Sequence, residues 1–145
     1  MNENATAERP SMNGGNGAVF RFPATPAAPG QAREAAQSVL ANGYADLVET
    51  SMLLISELVT NCVRHGGLAP DNHIEVRIRT YSNGLKIDVV DYGVGFRYRP
   101  REGALDRAGG WGLYMVDQLA HRWGVNDGYP TTVWFELHKP RQAYS

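Results

Sequence analysis

The pattern that most constrains this chain is that of residues 51–65, Ser-Met-Leu-Leu-Ile-Ser-Glu-Leu-Val-Thr-Asn-Cys-Val-Arg-His. At about 100° per residue, Met52, Leu54, Ile55, Leu58, Val59, Cys62 and Val63 fill one continuous apolar arc, so a helix here must be mostly buried. Asp46 is placed to cap it, and Gly66-Gly67 to end it in a left-handed turn. Glu57 and Asn61 fall just outside the arc, roughly 6 Å of axial rise apart on one stripe, with Arg64 on the same side. A carboxylate and a carboxamide on the border of a buried face stand where a pocket wall would be. Alone, such a pair is most often a solvated helix face. Two blocks further along the chain shift that balance.

The first is Asp91-Tyr92-Gly93-Val94-Gly95. Upstream, Ile74, Val76 and Ile78 alternate with Glu75, Arg77 and Arg79 as in a strand with one wet face. Ser82-Asn83-Gly84 reads as a hairpin turn, with Asn-Gly supplying the positive φ of a type I′ turn. The returning strand points Leu85, Ile87 and Val89 inward, and the same period carries Asp91 inward. A carboxylate aimed at a core is costly unless hydrogen-bonded. For a lone Asp a structural partner would be the expected reason, but glycines follow at once and let backbone approach a flat ligand closely.

The second block is Gly109-Gly110-Trp111-Gly112-Leu113, which opens a helix buried through Gly112, Met115, Val116, Leu119, Ala120 and Trp123. Backbone N–H groups exposed by glycine at a helix start form an anion site. No Lys-Ser/Thr pair follows, so this is not a P-loop. Between the blocks, residues 96–108 lose all periodicity and carry Arg97, Arg99, Arg101 and Arg107. Solvated loop charge is the ordinary explanation for such a run.

The remaining elements are simpler. Residues 1–17 lack bulky apolar side chains and are expected to be disordered. Val19-Phe20-Arg21-Phe22 makes a short strand stopped by Pro23, and Ala32, Ala35, Ala36, Val39 and Leu40 mark a helix ended by Asn42-Gly43. Arg33 points away from that apolar stripe. Trp123-Gly124-Val125 starts a strand, Asn126-Asp127-Gly128 turns it, and residues 131–137 form the last strand, with Thr131, Val133, Phe135 and Leu137 inward. The tail from Lys139 is expected to be loose. At 145 residues one domain is expected, spanning 18–139, with a tail at 140–145. A net charge of −1 provides no field toward nucleic acid or an anionic membrane. Cys62, the single cysteine, reads as a small core residue. No membrane span or signal peptide is evident, so a cytoplasmic protein is expected.

In their order and spacing, the three blocks resemble the N-box and two glycine boxes of the gyrase, Hsp90, histidine-kinase and MutL (GHKL) ATP-binding superfamily. Glu57-Leu58-Val59-Thr60-Asn61, Arg64-His65-Gly66, Gly112-Leu113, Arg122-Trp123-Gly124-Val125 and Thr132-Val133-Trp134-Phe135-Glu136-Leu137 are closest to the branch of anti-sigma factor serine kinases common in actinobacteria. The resemblance implies an α+β, two-layer sandwich of the Bergerat type, with a mixed, mostly antiparallel sheet and about three helices on one face. It implies ATP and Mg²⁺ as cofactors, with Asp91 accepting from the adenine amino group and Asn61 ligating Mg²⁺ through its amide oxygen. Glu57 would be the general base. Gly93, Gly95, Gly110, Gly112 and Leu113 would line the nucleotide site, and Arg107, first among the lid arginines, would reach phosphate. A threonine hydroxyl near adenine could be Thr131 or Thr132, and strand phase favours Thr131. The chain departs from the family at Trp111, where many relatives carry a smaller or basic residue, and at Pro130, where glycine is usual.

The implied activity is an ATP-dependent protein serine/threonine kinase acting on an anti-anti-sigma-like partner, sequestering a sigma factor, or both. No direct nucleic-acid or membrane partner is implied, and a homodimer is left open. The alternative is a nucleotide-gated protein-binding module without significant turnover. A histidine kinase is disfavoured because no dimerisation helix with a phosphoacceptor histidine precedes the domain. A gyrase-like or chaperone-like ATPase is disfavoured by the lack of a transducer.

Overall fold

In chain order the elements are β1 (Asn16–Pro23), α1 (Ala28–Leu40), α2 (Ala45–His65), β2 (His73–Tyr81), β3 (Gly84–Asp91), α3 (Trp111–Leu119), β4 (Arg122–Asn126) and β5 (Thr131–His138). They come from a computed structural model that describes residues 16–65, 72–92, 111–126, 128 and 130–141. The strands form one sheet in the order β1-β2-β3-β5-β4, and every pairing among them is antiparallel. The chain is therefore α+β, and its described residues form three helices and a five-stranded sheet. β1 begins at Asn16, paired with Thr80, slightly before the boundary expected at residue 18.

The helices and one sheet face share a single core. Period 2 sends Ile74, Val76 and Ile78 of β2, Leu85, Ile87 and Val89 of β3, and Val133, Phe135 and Leu137 of β5 to the same side, all buried. Register aligns them in rows: Phe20-Val76-Val89-Val133-Val125, then Ala18-Ile78-Ile87-Phe135-Trp123. The next row toward the sheet end, Phe22-Ile74-Asp91-Thr131, turns polar. That change of chemistry along one face positions the site.

Helix α2, twenty-one residues or about 31 Å, lies over these rows. Leu54, Ile55 and Val59 are fully buried, and Leu58 and Cys62 nearly so. Truncating one of the large side chains to alanine would cost about 2–5 kcal/mol through lost transfer energy and the cavity left behind. Helix α1 buries Ala28, Ala32, Ala36 and Leu40, four residues apart, and its methyl-sized face lets it lie close against α2. Gly43, at φ 93°, makes the turn between the two helices, a conformation a side chain would strain. Asp46 sits within the first turn of α2, where its charge favours the helix dipole, instead of at the cap.

The opposite sheet face covers itself with charge. Glu75 is gripped by Arg77 and by Arg21 at 3.4 Å, and Asp88 lies 3.7 Å from Arg79 and 4.0 Å from Lys86. Burial works against the Arg77 charge, but the hydrogen bond and charge of Glu75 outweigh it and push the guanidinium up. Lys86 and Arg122 flank the Trp134 ring, 4.6 and 5.8 Å from its centroid. Gly124, opposite Trp134, leaves room for that indole: a Cβ there would sit 2.8 Å from Nε1. The face expected to be wet thus leaves Glu75 and Asp88 only 8% exposed, because longer neighbours lie across them.

Four local expectations are corrected. The β2–β3 turn is Ser82-Asn83, and Gly84 is the first residue of β3, paired with Tyr81, without positive φ. Its glycine is required because a Cβ would collide with the Leu137 carbonyl of β5. Helix α3 stops at Leu119, which is 42% exposed. Trp123 belongs to β4 and reaches back to donate from Nε1 to Asp117 at 3.0 Å. Lys139 is tethered, its N–H donating to the Asn83 carbonyl at 2.8 Å and its ammonium lying over Tyr44. Among the described residues no helix is long and apolar enough to cross a membrane.

Candidate functional site

The polar end of the inner face and one stretch of α2 enclose a pocket lined by Leu58, Asn61, Cys62, Val89, Asp91, Thr131 and Val133. The space it encloses is narrow and continuous with solvent. The chain's two periods explain the lining. Residues 58, 61 and 62 share a helix face by i, i+3, i+4 spacing. Residues 89, 91, 131 and 133 share a sheet face by alternation, with Val89 opposite Val133 and Asp91 opposite Thr131. Leu58, Val89 and Val133 form apolar walls. Asn61, Asp91 and Thr131 supply hydrogen-bonding groups beside them.

Each polar group is buried: Asn61 is 3% exposed, Thr131 4% and Asp91 5%. The Asn61 Nδ2 finds no hydrogen-bond partner among the described residues. Leaving a buried amide donor unmade costs about 1–3 kcal/mol. Thr131 commits its hydroxyl proton to the Gly128 carbonyl at 2.8 Å, which leaves its oxygen as an acceptor. Cys62 and Asp91 line the same pocket from α2 and β3. Burial, and then the neighbouring Asp91 charge, push the thiol well up from its ordinary value, so it stays protonated.

The other expected site residues fall in three groups. Glu57 lies one helical turn before Asn61 on α2, half-buried, and does not line the pocket. Arg64 is exposed. Arg33 is exposed too, and donates to Ser56 at 2.7 Å, tying α1 to the residue beside Glu57. Gly112 lies in the first turn of α3, and Leu113, 3% exposed, anchors that helix in the core. Thr132 falls on the other sheet face from the pocket. Gly93, Gly95, Arg107 and Gly110, with Gly66-Gly67 and the arginine-rich stretch 96–108, lie outside the described residues. Among the described residues no three His, Cys, Asp or Glu side chains converge as a metal cluster. A cation here would draw on Asn61 and on the oxygens of its own ligand.

Sequence reading missed Cys62 as a pocket residue. Its place on the apolar arc marked it as core, and it is largely buried. The overlooked signal was its position one turn beyond Leu58 and next to Asn61, facing strands whose polar row includes Asp91.

The comparisons with known proteins agree with this architecture. The model of the histidine kinase-like ATPase domain matches residues 22–136. No curated protein matches the chain. Among solved structures, the crystal structure of the RsbU and RsbW domains of Rv1364c from Mycobacterium tuberculosis is similar, with a TM-score of 0.57 and 23% identity. The match covers 88% of this chain and 34% of that one, so the chain spans about a third of that structure's length. At this identity the likeness is one of fold.

Proposed function

The chain belongs to the histidine kinase-like ATPase domain family, and from that premise we propose that it binds ATP with adenine in the α2–β3–β5 pocket and passes the γ-phosphate to a serine or threonine of a regulatory protein. The partner class proposed is an anti-anti-sigma-like protein, a sequestered sigma factor, or both. The likeness in fold to a structure containing an RsbW domain is consistent with that class. The observation that carries the reading is the pairing of apolar walls with a buried, hydrogen-bonding edge of Asp91, Asn61 and Thr131.

Asp91 is an acceptor-only group where the ligand must donate. Adenine donates there through its 6-amino group, whereas guanine presents an oxygen at the same position. Leu58, Val89 and Val133 cover the ring and exclude water, which strengthens that hydrogen bond. Thr131 offers its oxygen as a second acceptor. Asn61 would hold Mg²⁺ through its amide oxygen, the phosphates and water completing an octahedral oxygen shell. When bound, the ion neutralises phosphate charge. Glu57, one turn away on the same helix, would accept the proton of the attacking hydroxyl. By family resemblance, Gly112 would leave backbone N–H groups at the α3 N-terminus open to phosphate. By the same family resemblance, Gly93, Gly95, Gly110 and Arg107 would close over the nucleotide, and Leu113 would seat α3 beside it.

The test is calorimetric titration with Mg-ATP and Mg-GTP, followed by transfer of label from γ-labelled ATP to a candidate partner protein. Adenine-selective binding and a labelled partner are expected. Equal affinity for both nucleotides overturns the adenine assignment. Selective ATP binding with no transfer to any partner it binds replaces the kinase reading with that of a nucleotide-gated binding module.

A further inference from the structure

We infer that a groove at the end of the sheet remote from the nucleotide pocket is a docking surface for an acidic segment of a partner protein. β3 and β5 run antiparallel, with Asp91 opposite Thr131 at one end and Gly84 opposite His138 at the other. The strand between those ends spans about 24 Å. At the second end three segments distant in sequence meet: the β2–β3 turn, the joint between α3 and β4, and the end of β5. Ser82, Asn83, His121, His138, Lys139 and Arg141 line an open groove between them. The inference goes beyond the ATP reading and does not depend on it.

Backbone contacts hold the frame of the groove. The His121 N–H donates to the Glu136 carbonyl at 2.9 Å, the His138 N–H to His121 Nδ1 at 3.2 Å, and the Lys139 N–H to the Asn83 carbonyl at 2.8 Å. The two imidazoles stack with centroids 4.3 Å apart. Because Nδ1 of His121 accepts, its ring proton is on Nε2, which remains a donor. The Ser82 hydroxyl and the Asn83 amide are exposed donors too. Lys139 and Arg141 add two permanent positive charges, and no Asp or Glu lines the groove. Among the described residues neither cation forms an ion pair. The Lys139 ammonium lies 4.3 Å over the Tyr44 ring, which orients it without cancelling its charge. Glu136, 3.8 Å from His138 Nε2, is also held by Arg122 at 3.6 Å.

On a chain of net charge −1 this is a local excess of cations and donors. The outer sheet face differs, since its Arg77, Arg79 and Lys86 are matched by Glu75 and Asp88. Carboxylates accept what such a groove donates, and complementary charge sets which partner docks. The lining also favours a protein over other polyanions. It has no Phe, Tyr or Trp on which bases would stack, and no large apolar side chain to enter a lipid phase.

The experiment is fluorescence anisotropy of a labelled hexaglutamate peptide titrated with the full chain at low salt, with thermal melts to confirm that each variant is folded. Wild type should bind hexaglutamate and not hexaglutamine, and binding should loosen as sodium chloride rises to about 0.15 M. Lys139→Gln/Arg141→Gln should weaken binding roughly fivefold or more, the worth of two exposed ion pairs. Arg141→Glu, a reversal at an exposed position, should weaken it at least as much and serves if the Lys139 change disturbs the Tyr44 contact. Arg21→Gln/Arg33→Gln, which removes two exposed cations elsewhere, should bind as wild type does. Saturating Mg-ATP should leave the peptide affinity unchanged. No binding by wild type, equal loss in both double variants, or competition by Mg-ATP overturns the inference. Tighter binding of oligothymidylate or of phosphatidylserine vesicles than of hexaglutamate, lost in Arg141→Glu, overturns the assignment to a protein partner. A chain that fails to bind ATP but binds hexaglutamate in this pattern overturns the nucleotide reading alone.

Discussion

Replacing Asp91 with Asn tests the centre of the proposed site with little change of shape. With adenine bound, the Asp91 carboxylate would accept a hydrogen bond from the 6-amino group. A carboxamide keeps one acceptor oxygen and turns the other into a donor nitrogen, so one of the two positions held by the carboxylate oxygens no longer accepts. With the NH₂ in the position that faces the base, it meets the adenine amino group, donor against donor. The loss is that of a charge-assisted hydrogen bond, about 1.5–3 kcal/mol, or roughly a ten- to hundred-and-fifty-fold weaker Kd for ATP. ITP, with an acceptor at that position, should lose far less and could gain. Because Asp91 is the last residue of β3 and Asn fits the same volume, the melting temperature should move by only a few degrees. The assay is calorimetric titration of both nucleotides, with thermal melts as the control for folding. Unchanged ATP affinity in a folded Asp91→Asn protein would refute the assignment of adenine to this pocket.

Asn61→Ala should abolish the part of ATP affinity that depends on Mg²⁺, seen by titrating ATP with the ion and with EDTA; an undiminished Mg²⁺ response places the ion elsewhere. Glu57→Gln should bind ATP about as wild type does while phosphoryl transfer falls by about 10²–10⁴; equal turnover in both proteins would make Glu57 structural. Because the folded state raises the Cys62 pKa, its contribution to stability is fully present below the unfolded value of about 8.5 and is lost as pH rises toward the folded value. Urea midpoints should therefore decline with pH above about 8.5 in wild type, and less steeply in Cys62→Ala; parallel profiles would contradict the shift. Gly84→Ala should destabilise the fold by about 1–3 kcal/mol, since its Cβ would meet the Leu137 carbonyl of the neighbouring strand. A denaturation midpoint equal to wild type would show that β3 and β5 can part without cost.

Much of this architecture can be read from local periodicity, because a side chain's face is a property of its own element. Helical spacing identifies Leu54, Ile55, Leu58 and Val59 as buried, and all four are. Alternation places Asp91 and Thr131 on the inner face of their strands, where both lie with under a tenth of their surface exposed. The order of the glutamate–asparagine helix, the aspartate after a strand and the glycine-opened helix sufficed for the family, because those blocks encode a connectivity as well as residue types.

Which faces meet is a different question, and periodicity does not answer it. Register, strand order and the docking of α2 arise from contacts distant in sequence. Asn83-Gly84 carries the local chemistry of a tight turn, yet Gly84 is required by β5, more than fifty residues later. Glu75 and Asp88 alternate like solvent-facing residues, but side chains from their own and neighbouring strands bury them. Cys62 illustrates the division most sharply. Its arc position marks it correctly as buried, while its place in one pocket with Asp91 exists only because α2 lies across the polar end of β3. Sequence determined which side chains leave water; tertiary packing decided which of them touch, because burial is set along one element and contact is set between two.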